Sequence, residues 1–145
     1  MERSPVIYHV VCESDFRAQL QDLVYVPAGL HADGFVHCAL EPSVIPVAND
    51  YFSDAPGRLL LLAIDPRRLA SETRYEAAAP TAGGGSSHLA SASTFPHVYG
   101  PINQEAITGV GVLGRNARGY EWPRSIMPLD AFLTADRQSR PPGPR

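Results

Sequence analysis

The sequence predicts an α+β fold built on a mixed or antiparallel sheet. Strand-like runs outnumber helical ones, and the helical ones, two short helices, fall in the N-terminal third. With 145 residues, 44% of them apolar and 19% charged, the chain has the length and composition of one domain with a sizeable core. That domain is expected over residues 1–136, and residues 137–145, ending in Pro141-Pro142-Gly143-Pro144-Arg145, are expected as a disordered tail.

Residues 6–12 read as the first strand, β-branched and aromatic. Ser14 then caps a short helix in which Phe16, Leu20 and Leu23 recur at helical spacing. Val24-Tyr25-Val26 is a brief extended piece, turned by Pro27-Ala28-Gly29, and Gly34 leads into a second strand over Phe35–Ala39. Glu41-Pro42 opens the second helix, whose buried stripe is Val44, Val47, Ala48, Tyr51 and Phe52, with Pro46 blurring its start. Leu59–Ile64 is apolar at every position, the signature of a central strand covered on both faces. Thr73–Glu76, Val98-Tyr99 and Ile107–Leu113 follow as strands, and Tyr120-Glu121-Trp122 reads as an edge piece. Residues 77–94, rich in Ala, Gly and Ser around Gly83-Gly84-Gly85, read as a flexible loop and a plausible lid. No strand–loop–helix context or following Lys-Ser/Thr makes that glycine triplet a phosphate cradle.

Three histidines stand inside strand-like runs: His9, His37 and His97. Histidine titrates near neutral pH, and half-buried it can donate and accept a hydrogen bond at once. Alternation along a strand puts Ile7, His9 and Val11 on one face with Tyr8 opposite, Phe35 with His37, and His97 with Tyr99. Any one of these histidines alone is best read as satisfying a core hydrogen bond; three in strands, two beside Gly or Pro, suggest convergence in one cleft. Tyr99 can stack on a planar ligand or donate its phenol, and Glu76 is the acid placed nearest the site. Glu105 is a second candidate acid, while His31 and His88 fall in loop sequence and are expected to be solvated.

Chemistry is also bounded by what the sequence omits. All 12 basic residues are arginine, which excludes a lysine Schiff base or phosphate-loop lysine. A net charge of −3 argues against an extended nucleic-acid surface, although Arg67 and Arg68 could form one local anion site. Cys12 and Cys38 have no metal-type spacing and read as small buried hydrophobes, and His37 and Cys38, on opposite faces, are poorly placed to activate one another. Zinc held by His9, His37 and His97, with or without Cys38, would want two ligands a few residues apart at zinc-type spacing, and there is no such pair, so no metal is expected. No run reaches membrane-spanning length and strand residues begin at Val6, so a cytoplasmic protein is expected.

The segments Ile7-Tyr8-His9, Gly34-Phe35-Val36-His37-Cys38, Ala48-Asn49 with Tyr51-Phe52, Leu60-Leu61-Leu62 with Ile64-Asp65, Tyr75-Glu76 and Phe95-Pro96-His97-Val98-Tyr99-Gly100-Pro101 stand in one order over residues 6–113. On them the chain is identified as a member of the bacterial family known as domain of unknown function 952. That family in turn resembles the ADP-ribosyltransferases, above all the tRNA 2′-phosphotransferase branch. The resemblance implies a split, strongly curved sheet gripping a ligand between its halves. It also implies that His9 and His37 hold the nicotinamide ribose or its equivalent, with His97 or Tyr99 at the third strand position. Ala39 stands where the family usually has serine, and Glu105 is no secure counterpart of the transferase glutamate.

Three functions are therefore expected in turn. The first is an ADP-ribosyltransferase-like enzyme that binds NAD or a related nucleotide-sugar ligand, with His37, His97 and Tyr99 catalytic and His9, Tyr8, Cys38 and Glu76 holding the ligand. The second keeps the cleft and drops the cofactor, for acid–base chemistry on a small metabolite such as a cyclisation, hydrolysis or isomerisation. The third is a nucleotide-binding module without turnover.

Overall fold

The computed structural model describes residues 6–77 and 94–139. Every strand pair among them is antiparallel. The main sheet has four strands in the order β1 (Ile7–Cys12), β4 (Leu59–Ile64), β8 (Ile107–Val112) and β11 (Ile126–Met127). A second sheet of three strands runs β3 (Val36–His37), β6 (Phe95–Tyr99), β5 (Glu72–Glu76). Two small ribbons pair β2 (Val24–Tyr25) with β7 (Ile102–Asn103) and β9 (Gly114–Asn116) with β10 (Gly119–Glu121).

β4 explains the architecture. All six of its residues are buried, because the main sheet carries an apolar layer on each face. Leu60, Leu62 and Ile64 join Ile7, Val11, Phe16, Tyr25 and Phe132 on one side, while Leu59 and Leu61 join Val10, Val44, Ala48 and Phe95 on the other. The period-2 alternation of side chains divides one apolar run between two cores.

Among the described residues four α-helices flank these sheets: α1 (Glu13–Gln19), α2 (Ala28–Asp33), α3 (Glu41–Tyr51) and α4 (Leu129–Ser139). α1 departs from the expectation at both ends. Cys12, not Ser14, is the N-cap, and Leu20 turns extended to bridge Tyr25, so Leu23 is off the helix and 77% exposed. α2 replaces the expected turn at Pro27-Ala28-Gly29; Gly34, at φ 84°, ends it with its N–H on the Leu30 carbonyl. α3 runs unbroken through Pro46, and of its expected stripe Val44 and Ala48 are buried while Tyr51 is exposed. α4 was not expected; it carries the chain helical to Ser139, into the segment read as a tail, and residues 140–145 lie outside the described ones. The expected loop over 77–94 also falls outside them at residues 78–93, His88 included.

The two larger sheets meet at one step of backbone. Val36 and His37 pair with Val98 and His97, and the Cys38 N–H donates to the Pro96 carbonyl at 3.0 Å. One residue later Ala39 exchanges both of its backbone hydrogen bonds with Tyr8 of β1, at 2.7 and 2.8 Å. The chain thus passes from one sheet to the other within Cys38-Ala39, and the space between the sheets opens beside that step. Among the described residues no helix is long and apolar enough to cross a membrane.

Candidate functional site

A cavity of about 330 Å³ lies at this junction. Its walls come from β1 (Tyr8, His9, Val10), α2 and the turn before it (Pro27, Gly29, Asp33), β3 and its exit (Val36 to Ala39), α3 (Val47, Tyr51, with Phe52 just after it) and β6 (Phe95, His97). All three strand histidines therefore border one cleft, as their pattern suggested. They are not equivalent there.

His97 is 3% exposed and sits on the middle strand of the second sheet. Its Nδ1–H donates to Glu76 Oε1 at 2.7 Å. Glu76 is two residues along β5 from Arg74, the direct cross-strand partner of His97, so a long carboxylate side chain reaches the ring diagonally. The same Oε1 accepts the Tyr99 hydroxyl at 2.6 Å. Those two donors, the Tyr99 hydroxyl first, hold the Glu76 carboxyl below the usual carboxylate range, and the bond to Glu76 pushes the Tyr99 phenol up. Phe35 stacks on the imidazole at 4.0 Å between centroids. With Nδ1 committed to the carboxylate, Nε2 is the ring nitrogen left over, and no described residue hydrogen-bonds it.

His37 is the direct cross-strand neighbour of His97, with ring centroids 5.7 Å apart and the planes nearly perpendicular. Its Nε2–H donates to Asp33 Oδ2 at 2.7 Å. Asp33 is the last residue of α2, and the Gly34 turn returns the chain so that a carboxylate four residues earlier meets the ring. The Nδ1 of His37 has no hydrogen-bond partner among the described residues.

His9 is spent internally. Its Nδ1–H donates to the backbone carbonyl of His37 at 2.8 Å, and its Nε2 accepts the Tyr25 hydroxyl at 2.9 Å. Burial lowers its pKa from 6.5 to about 4, so the ring is neutral at pH 7. It borders the cleft but has no nitrogen left for a ligand; its part is to hold the backbone that carries His37.

The remaining expected residues separate into two groups. Tyr8 lines the cleft with its ring edge-to-face on Trp122, at 5.3 Å, and Cys38 backs it with a thiol that burial pushes up, away from thiolate chemistry. Tyr99 and Glu76 stand behind His97 rather than on the wall, with the Arg74 guanidinium 4.4 Å over the Tyr99 ring. Glu105 is exposed in a 3-10 turn away from the cleft, and His31 is exposed on α2. Arg67 and Arg68 are both turned onto Asp65, outside the cleft. Among the described residues no three His, Cys, Asp or Glu side chains converge to hold a metal. Sequence reading missed Asp33, Tyr25 and Phe35 as members of the site. Asp33 carried a signal, its spacing of four from His37; the long-range partnership of Tyr25 with His9 had none.

No curated protein matches the sequence. Among solved structures, the crystal structure of protein CC0527 from Caulobacter crescentus is similar, with 24% identity and a TM-score of 0.60 over 81% of this chain and 93% of that one. The solution structure of CC0527 gives 23% identity and a TM-score of 0.54 over 82% and 91% of the two chains. These likenesses establish a shared fold. A family model, described as protein of unknown function (DUF952), matches residues 10–110, a span that includes β1 from Val10, all of β3, β5 and β6, and both carboxylate–histidine pairs. The chain belongs to the DUF952 family.

Proposed function

We propose that the cleft is the active site of an acid–base enzyme acting on a small molecule, with His97 as the proton-abstracting base and His37 as the second proton carrier. One observation carries this reading: on His97, a residue of the cleft wall, Glu76 fixes Nδ1–H and leaves Nε2 without a partner among the described residues. A carboxylate on one ring nitrogen sets the tautomer and favours the imidazolium that forms when the other nitrogen takes a proton. Asp33 does the same for His37 with the nitrogens exchanged. The two rings, 5.7 Å apart, can serve two atoms of one substrate lying across both edges, one losing a proton and the other gaining one. The chemistry class is that of isomerisation, cyclisation or hydrolysis without a redox step.

The test needs no knowledge of the natural substrate. 5-Nitrobenzisoxazole is neutral and flat, and loss of its ring C–H proton to a base breaks the N–O bond and gives a coloured cyanonitrophenolate. His97 Nε2 would take that proton, and His37, entering the reaction as the imidazolium with a proton on Nδ1, would pass that proton to the departing oxygen; the proton then held by His97 returns the pair to its starting state through solvent. Saturable turnover is expected, falling at least about tenfold in His97→Gln and by a smaller factor in Glu76→Gln, in line with the worth of one positioned base. Turnover no faster than free imidazole, or unchanged in His97→Gln with the fold intact by circular dichroism, refutes the reading. Nicotinamide release from NAD that disappears in His37→Ala would replace it with the transferase reading.

A further inference from the structure

We infer that the cleft selects an uncharged substrate with an apolar ring or chain, its body held by Tyr51 and Phe52 and its reacting end at His97; this rests on the acid–base reading of the same site. The inference starts from what α3 presents. Ala48 is buried, and Asn49 is turned away to accept the Tyr120 N–H at 2.9 Å. Tyr51 is left exposed at the end of the helix and Phe52 half-buried beside it, both on the cleft wall. The position of Phe52 is fixed from two sides. Its N–H donates to the Ala48 carbonyl at 2.9 Å and its carbonyl accepts the Tyr120 hydroxyl at 2.7 Å. Phe52 with its backbone held in this way, next to Tyr51 and with Phe95 and Val10 on the walls of the same cavity, makes a preformed apolar seat.

Charge at the opposite end sets the second half of the inference. Both imidazoles are backed by carboxylates, Asp33 on the wall and Glu76 behind it. Among the described residues no arginine lines the cleft, and the chain has no lysine. Arg74, on the strand paired with His97, is already stacked on Tyr99 and paired with Glu72 at 3.1 Å. A phosphate or carboxylate brought to His97 would lose its hydration next to like charge, whereas a neutral apolar body exchanges water for the aromatic seat.

The test compares 1-naphthol with 1-naphthyl phosphate, which share one ring system, by calorimetric titration against the full chain. 1-Naphthol is expected to bind at least about tenfold more tightly than its phosphate ester, a difference of about 1.4 kcal/mol. Its affinity should fall in Tyr51→Ser and Phe52→Ala, and Asp33→Asn should narrow the gap between the two compounds. Equal or tighter binding of the phosphate ester, no binding of 1-naphthol, or affinity unchanged in both aromatic variants overturns the inference. Binding is read here without turnover, so a protein that binds 1-naphthol but leaves 5-nitrobenzisoxazole intact refutes the acid–base reading alone.

Discussion

The buried histidine of β1 makes stability depend on pH in a window that opens above the carboxylate range. His9 is 8% exposed and its pKa falls from 6.5 to about 4 on folding. The unfolded chain therefore binds a proton at this ring that the folded chain refuses, and stability drops as pH falls from about 6.5 to about 4, with no further loss from this group below that. Integrated between pH 7.5 and 4.5 with those two values, the loss is about 2.5 kcal/mol. His9→Asn isolates it. Asparagine keeps a donor toward the His37 carbonyl but leaves the Tyr25 hydroxyl without its acceptor, so at pH 7.5 the variant should be less stable by about 1–3 kcal/mol. At pH 4.5 most of that deficit should vanish, because the variant has no ring to protonate. Urea unfolding followed by the fluorescence of Trp122, at both pH values for both proteins, gives the double difference. The carboxylates Glu13 and Glu76 are common to both proteins and cancel. A double difference within about 0.5 kcal/mol of zero, well below the expected loss, would show that His9 is either solvated or already charged in the folded protein, and would refute the two hydrogen bonds assigned to it.

Three further outcomes follow from packing and charge. Leu62→Ala, in the middle of a strand buried on both faces, should cost about 2–5 kcal/mol in chemical denaturation. Gly100→Ala should also destabilise. Gly100 has φ 154°, and a Cβ there would overlap Ser71 Oγ and lie 2.9 Å from Ser71 Cβ, so Ser71→Gly should restore part of the melting temperature lost. Glu13 holds Arg17 at 2.9 Å and Arg58 at 2.7 Å, and those arginines keep its carboxyl below the usual range. Glu13→Gln should therefore cost about 1 kcal/mol at neutral pH and low salt, because both arginines are partly exposed. That cost should shrink in high salt, and also as pH falls through the depressed pKa of the carboxyl.

How far the sequence announced this molecule depended on the range of the interactions. Period-2 alternation placed Phe35 with His37 and His97 with Tyr99, and the ring contacts follow those faces. The uniform apolar run over Leu59–Ile64 announced a strand covered on both sides, since its burial is decided by composition alone. α2 stayed hidden because six residues with a glycine among them carry too little periodicity to separate a helix from a turn. α4 stayed hidden behind a polar, proline-ended C-terminus, although Leu129 and Phe132 dock it onto the core. The site was legible as a set of histidines but not as a division of labour. That His9 is satisfied while Nε2 of His97 has no partner among the described residues depends on Tyr25 and Glu76, partners 16 and 21 residues away, which only the fold brings near.

The geometry of the cleft is enforced by the core beneath it. On β3 and β6, Val36 and Val98 are fully buried and directly paired, and the next pair along is His37 with His97. Sliding β6 by one residue would turn Val98 out of the core and bring the His97 imidazole into an apolar layer with Ile7, Leu62 and Ile102, and sliding β3 would do the same to Val36 and His37. Each buried valine that would be exposed costs about 1.5–3 kcal/mol, and each imidazole pressed into the core would lose its carboxylate. The register is fixed at the far end as well, because Cys38 and Ala39 pair in succession with Pro96 and Tyr8 and so tie the second sheet to the main one. Pro96, on a central strand where proline is rare, donates nothing to the ladder; its carbonyl receives Cys38 at the point where the chain leaves β3. The opposed imidazoles are therefore held by hydrophobic burial on the reverse face of the same strands. Val98→Ala should consequently lower both the midpoint of urea unfolding and the proposed turnover of 5-nitrobenzisoxazole, even though Val98 does not line the cleft.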